Sequence, residues 1–189
     1  MRIGVIYGTA TPPGRLATAM RSFEAKLKAA GATVDIVDLS TTALPMAGTV
    51  MPNDLPAAAK AMLDRVAAAE AIVVFSPIYR ATAPGVLKNL FDLMPLETLE
   101  GKVVGSVAMG TTLHHYLAVD IDLHPILAWF GALTIPAGPY LSAKSFEDGK
   151  LTADTETALG EYAETVVELA RRLQGVKIRP RPLAAAAKG

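Results

Sequence analysis

The sequence predicts a doubly wound α/β fold, a mostly parallel sheet with helices on both faces. Two observations carry that prediction. Five short runs rich in β-branched residues recur along the 189 residues, and between them lie segments whose apolar side chains repeat at helical spacing. Strand and helix alternate at crossover lengths that suit parallel strand pairs.

The expected strands are residues 2–7, 33–38, 71–76, 102–109 and 133–140, most of them buried on both faces. Leu16, Met20, Phe23 and Leu27 mark the first helix; Leu55, Ala59, Met62, Leu63 and Val66 mark the second; Val86, Leu87, Leu90, Phe91 and Met94 mark the third. A fourth helix is expected over 115–130, with Pro125 inside it expected to kink or widen the preceding turn. The fifth has one apolar face through Leu159, Tyr162, Ala163, Val166, Ala170 and Leu173. Asp154 and Glu156 near its start, and Arg171 and Arg172 near its end, complement the helix dipole, and Gly175 ends it. Before that helix, Asp148-Gly149 signals a tight hairpin turn. Five strands fit the flavodoxin-like order 2-1-3-4-5, in which a ligand sits beyond the carboxyl ends of the strands.

The length fits one domain over residues 1–174, with a mobile basic tail over 175–189. Eighteen Lys+Arg balance eighteen Asp+Glu, so no overall cationic field exists to hold a polyphosphate backbone, and a general nucleic-acid binder is excluded. A hydrophobic fraction of 51% allows a sizeable core and leaves apolar surface for self-association. The absence of cysteine removes disulfides, thiolate metal sites and thiol nucleophiles. No run reaches the roughly 18 uninterrupted apolar residues of a membrane span. Residues 1–7 are too short for a signal h-region, so a cytoplasmic location is expected.

The chemistry is therefore sought in three strand-tip loops. The first, residues 8–18, matches neither a GxGxxG nor a GxxxxGK[ST] phosphate loop. It offers helix N-terminal N–H groups at Leu16 and Ala17, the hydroxyls of Thr9, Thr11 and Thr18, and the guanidinium of Arg15, a set suited to a phosphate monoester. An ordinary capped turn with a solvated arginine reads equally well. In the second loop Pro77, Ile78, Tyr79 and Arg80 suit a flat ring system: proline removes a donor, backbone N–H groups remain, and Tyr79 supplies an aromatic wall. Arg80 places positive charge near an anionic ring or else joins a surface ion pair, whereas Lys88 and Asp92 read as an i,i+4 helix pair outside the site. The third loop carries Gly110, Thr111 and Thr112, with Gly110 permitting close backbone approach. His114, His115 and His124 are badly spaced for one metal, and no metal site is assigned.

Several longer motifs lie on this frame: Pro77-Ile78-Tyr79-Arg80-Ala81, Gly85-Val86-Leu87-Lys88, Asp92-Leu93-Met94-Pro95 and Leu99-Glu100-Gly101-Lys102-Val103-Val104. His115-Tyr116-Leu117-Ala118-Val119-Asp120 and Pro125-Ile126-Leu127 follow. With them the chain resembles the NADPH-dependent FMN reductase family over residues 1–174, and within it the flavin reductases of alkanesulfonate utilisation in two-component monooxygenase systems.

The resemblance implies an NAD(P)H:FMN oxidoreductase that uses NADPH or NADH and supplies reduced FMN to a partner monooxygenase, assembled as a homodimer or homotetramer; the apolar character of the third and fourth helices predicts that they pack against another subunit. The 9–18 loop would hold the FMN phosphate, Pro77 to Arg80 would edge the isoalloxazine, and Gly110 to Thr112 would flank it. Hydride transfer between stacked rings needs positioning rather than a catalytic side chain, and none is assigned. Where relatives carry hydroxyls in the phosphate loop this chain has Gly14 and Leu16, Ala10 replaces a frequent proline, and aliphatic Ile121 stands where some have an aromatic residue. Fewer hydroxyl contacts favour an exchangeable flavin. The alternative is a flavoprotein that retains FMN and reduces quinones, azo dyes or metal oxyanions. A receiver-like signalling domain would place acidic residues after the first strand, where Tyr7-Gly8-Thr9 stands, and flavodoxin carriers are typically acidic whereas this chain is neutral.

Overall fold

The β-branched runs do form a central sheet. The computed structural model of the protein describes residues 1–136 and 138–178. Strands β1 (Arg2–Tyr7), β2 (Thr33–Asp38), β3 (Ala71–Pro77) and β4 (Val103–Met109) alternate with helices α1 (Arg15–Ala29), α2 (Ala57–Ala68) and α3 (Gly85–Leu93). Helix α4 (Ala118–Trp129) leads to short β5 (Leu133–Thr134) and β6 (Tyr140–Leu141), and then to a hairpin of β7 (Phe146–Glu147) and β8 (Lys150–Leu151). Helix α5 (Ala153–Arg172) closes the fold. The strands pair in parallel in the order β2-β1-β3-β4-β5, as expected.

Alternation along each strand sends side chains to opposite faces and makes two cores. Ile3, Val5, Tyr7, Val73 and Phe75 meet the apolar faces of α1 and α5. Ile6, Ile72, Val74 and Val104 meet α2, α3 and α4 on the other side. Leu87, Leu90 and Phe91 of α3 are spent in this second core, whereas α4 leaves Ile121 69% and Trp129 57% exposed. Of these two helices, α4 is the one that exposes large apolar side chains.

The expected fifth strand over 133–140 is divided into β5 and β6, both parallel to β4. The interruption has a local cause: Pro136 and Pro139 carry no N–H for a ladder. Gly138 passes so close to β4 that a Cβ there would lie 1.8 Å from the Ser106 carbonyl oxygen. The Ser106 N–H, left without a strand partner, donates instead to the Tyr162 hydroxyl of α5 at 3.1 Å. Burial pushes the Tyr162 phenol up to about 12, so it remains a neutral hydroxyl at working pH.

The fourth helix differs too. A 3-10 segment, Leu113–His115, ends where the helix is expected to begin, and the α-helix starts only at Ala118, with Pro125 inside it. The expected Asp148-Gly149 turn is present, with both residues at positive φ, 48° and 77°. Lys88 and Asp92 form the anticipated i,i+4 ion pair at 2.5 Å. Past α5, the Val176 N–H donates to the Leu173 carbonyl at 3.1 Å. Of the tail expected over 175–189, residues 179–189 lie outside the described residues. Among the described residues no helix is long and apolar enough to cross a membrane.

Candidate functional site

Parallel pairing points the carboxyl ends of β1, β3, β4 and β6 to one edge of the sheet, and the loops that leave them enclose two adjoining cavities. The smaller, about 210 Å³, is lined by Thr9, Thr11, Arg15, Leu16 and Pro77 among others. The larger, about 500 Å³, is lined by Arg80, Ala81, Thr112 and His115. Ile78, Tyr79, Gly110 and Thr111 belong to both walls. Neither is lined by Asp or Glu, so an anion meets no fixed negative charge there.

At the smaller cavity the first loop runs directly into α1. Gly14 is the N-cap residue, no side chain caps the helix, and its first turn has no acidic residue. Such an end presents unpartnered N–H groups and the positive end of the dipole. Three hydroxyls gather beside it: Thr9 Oγ1 lies 3.0 Å from Thr11 Oγ1, and the Tyr79 hydroxyl lies 3.5 and 3.4 Å from the two. The Thr11 N–H donates to Thr9 Oγ1 at 3.2 Å. Arg15 is exposed, its guanidinium 5.8 Å above the Phe146 ring. Burial raises the nearby Tyr7 phenol above its ordinary value, keeping it neutral.

The second loop is a tight turn at the larger cavity. Tyr79 and Thr82 exchange backbone hydrogen bonds of 2.9 and 3.1 Å around Arg80 and Ala81, both at positive φ. The third loop is held from two sides. The Ile78 N–H donates to the Met109 carbonyl at 2.8 Å, and the Tyr140 hydroxyl donates to the Thr112 carbonyl. Gly110 makes the latter bond possible, because a Cβ there would lie 2.1 Å from the Tyr140 oxygen. His114 Nδ1 lies 3.0 Å from Thr112 Oγ1, and His124 Nδ1 lies 3.5 Å from Thr134 Oγ1. Among the described residues no group of three or more His, Asp or Glu is placed to hold a metal ion.

The structure thus brings together Thr9, Thr11, Arg15, Leu16, Pro77, Ile78, Tyr79, Gly110 and Thr111 at the first cavity, and adds Arg80 and Thr112 at the second. The side chains of Leu16 and Ala17 are buried. Ala17 and Thr18 line neither cavity. The residue-level reading missed Ser142 and Ala143, which follow β6 and line the smaller cavity, and His115 at the larger. Extending the strand-tip rule to the fifth strand would have found the first two.

The fold and this edge define a flavodoxin-like α/β protein with a crevice beyond the carboxyl ends of its parallel strands. The model of the NADPH-dependent FMN reductase family matches residues 1–147. Relatives include an FMN reductase (NADPH) of Pseudomonas aeruginosa, 36% identical over 63% of this chain and 64% of that protein. The NADH-dependent FMN reductase SfnF of Pseudomonas putida is 30% identical over 89% of this chain and 90% of its own. Among solved structures, apo NADH:FMN oxidoreductase EmoB superposes with a TM-score of 0.78 at 23% identity, covering 96% of this chain and 97% of that one. The chain belongs to the NADPH-dependent FMN reductase family, and so to the NAD(P)H:FMN oxidoreductases, which use FMN with NADPH or NADH.

Proposed function

We propose that this protein reduces FMN with NADPH or NADH, binding the flavin as an exchangeable substrate and releasing it reduced to a separate monooxygenase. The observation that carries the reading is the pair of adjoining cavities, one with anion-suited donors and the other with an aromatic and backbone wall. The donor set fits FMN. Thr9, Thr11, Arg15 and the N–H groups at the start of α1 take the phosphate, while Pro77, Ile78, Tyr79 and Arg80 edge the isoalloxazine and Gly110, Thr111 and Thr112 flank it.

When bound, FMN supplies the hydride-accepting N5 and the nicotinamide supplies the hydride from C4. The chain's own task is to position the two rings. Arg80 places positive charge beside the reduced flavin, Tyr79 bridges the phosphate and ring ends, and no side chain needs to exchange a proton. Exchangeability follows from the first loop, where Gly14 and Leu16 offer no hydroxyl to the phosphate.

NAD(P)H oxidation by the purified protein, with and without added FMN, tests the reading. Turnover that rises with FMN and a protein that leaves gel filtration free of flavin are expected. Absence of flavin-dependent turnover overturns the reading, and stoichiometric FMN retained through filtration replaces the exchangeable substrate with a resident group. Exposed Tyr116, Leu117, Ile121 and Trp129 on and before α4 support self-association as a dimer or tetramer. A purely monomeric light-scattering mass would contradict that assembly.

A further inference from the structure

Among the described residues, three that are not glycine have positive φ: Arg80 at 52°, Ala81 at 69° and Asp148 at 48°. Asp148 is of a type that tolerates the left-handed region and precedes a glycine in a surface hairpin. Arg80 and Ala81 have neither excuse. They are the consecutive central residues of the Tyr79–Thr82 turn, whose geometry favours Asn-Gly. A left-handed pair of ordinary residues persists only where its surroundings hold it.

One end of the turn is held by β4 through the bond from the Ile78 N–H to the Met109 carbonyl. The other end leaves the sheet, and the Ala83 N–H, just before the Pro84 that caps α3, finds no strand. It donates at 2.9 Å to Oδ2 of Asp122, a half-buried residue of α4 that is 39 positions away. Asp122 and the turn also share the wall of a groove with Ala81 and Thr82 on one side and Ile121 on the other.

We propose that Asp122 is a positioning residue for the flavin ring: its carboxylate clamps the outgoing end of the strained Tyr79–Thr82 turn, so that Tyr79, Arg80 and Ala81 keep the wall of the larger cavity in shape. The clamp joins α4 to the ring wall and does not reach the phosphate end. This role rests on the ring lying in the larger cavity, as in the proposed function.

The experiment measures the dissociation constants of FMN and riboflavin for the unsubstituted protein, Asp122→Ala, Asp122→Asn and Arg15→Ala, with amide exchange at Ala83 recorded in the flavin-free proteins. Asp122→Ala should speed exchange at Ala83 and weaken riboflavin and FMN by the same factor, about fivefold to tenfold. Asp122→Asn, whose amide oxygen still accepts, should restore both, and Arg15→Ala should weaken FMN alone. A general loss of structure would move neither pattern selectively. Ala81→Gly, which removes the cost of the left-handed residue, should recover most of the Asp122→Ala loss. Unchanged exchange at Ala83, or riboflavin affinity within twofold of the unsubstituted protein in Asp122→Ala, overturns the clamp while leaving the functional reading in place. Failure of the unsubstituted protein to bind either flavin overturns the functional reading and the clamp with it.

Discussion

Helices α1 and α5 lie side by side on one face of the sheet and are joined by Glu156, which accepts from Ser22 at 2.7 Å and pairs with Lys26 at 2.8 Å. Their N-termini are finished in opposite ways. Helix α5 is capped by Thr152, which accepts from the Thr155 N–H at 3.3 Å, and has Asp154 and Glu156 in its first turn. Helix α1 starts at Gly14 with no side-chain cap and no acidic residue. One helix satisfies its own dipole; the other leaves its donors to whatever enters from outside. In the proposed function the uncapped start of α1 serves binding while the capped start of α5 serves stability, and each can be altered separately.

The most severe alteration gives α1 the kind of start that α5 has. A Cβ at Gly14 meets nothing within 4 Å and its φ of −141° suits any residue, so Gly14→Asp should fold. Its carboxylate would take the N–H groups and repel a phosphate, raising the FMN dissociation constant about 100-fold while thermal stability holds or rises slightly. Titration of FMN beside a melting curve checks both directions. Arg15→Ala should raise the FMN constant about tenfold, less than a buried contact would cost because Arg15 is exposed, and should leave riboflavin unaffected.

At the other helix the signs reverse. Thr152→Ala should cost about 1 kcal/mol in chemical denaturation with FMN affinity unchanged. Glu156→Gln should cost less, under about 1 kcal/mol, because its pairs are partly exposed. Burial alone would raise the Glu156 carboxyl, but the bonds from Lys26 and Ser22 outweigh it and hold the group below its ordinary value. An acid held low in the folded state contributes stability above its unfolded pKa and loses it as pH falls through the folded one. The difference between Glu156→Gln and the unsubstituted protein should therefore be full at pH 7 and shrink below about pH 4.3. A pH-independent difference would remove the ion pair as its cause.

How far these features could be read from the chain follows from how local they are. Strands β1 to β4, the apolar faces of α1, α3 and α5, and the Asp148-Gly149 hairpin are written in contiguous residues, and their order followed from alternation. The division of the fifth strand was also legible at Pro136 and Pro139, which a β-branched reading of 133–140 passed over. The first loop stood out by its hydroxyls and arginine, though only the folded chain shows that Leu16 and Ala17 bury their side chains and that Ser142 joins the cavity. The Tyr162 bond to Ser106 and the Asp122 bond to Ala83 join residues 56 and 39 positions apart. No periodicity or propensity connects such pairs, so they had no signal in the sequence.

The central claim is that the α1 end of the crevice selects for a phosphate on the ring compound. Titration of the unsubstituted protein with FMN and with riboflavin under identical salt tests it most directly. FMN should bind at least about tenfold more tightly. Equal affinity for the two flavins would contradict the account.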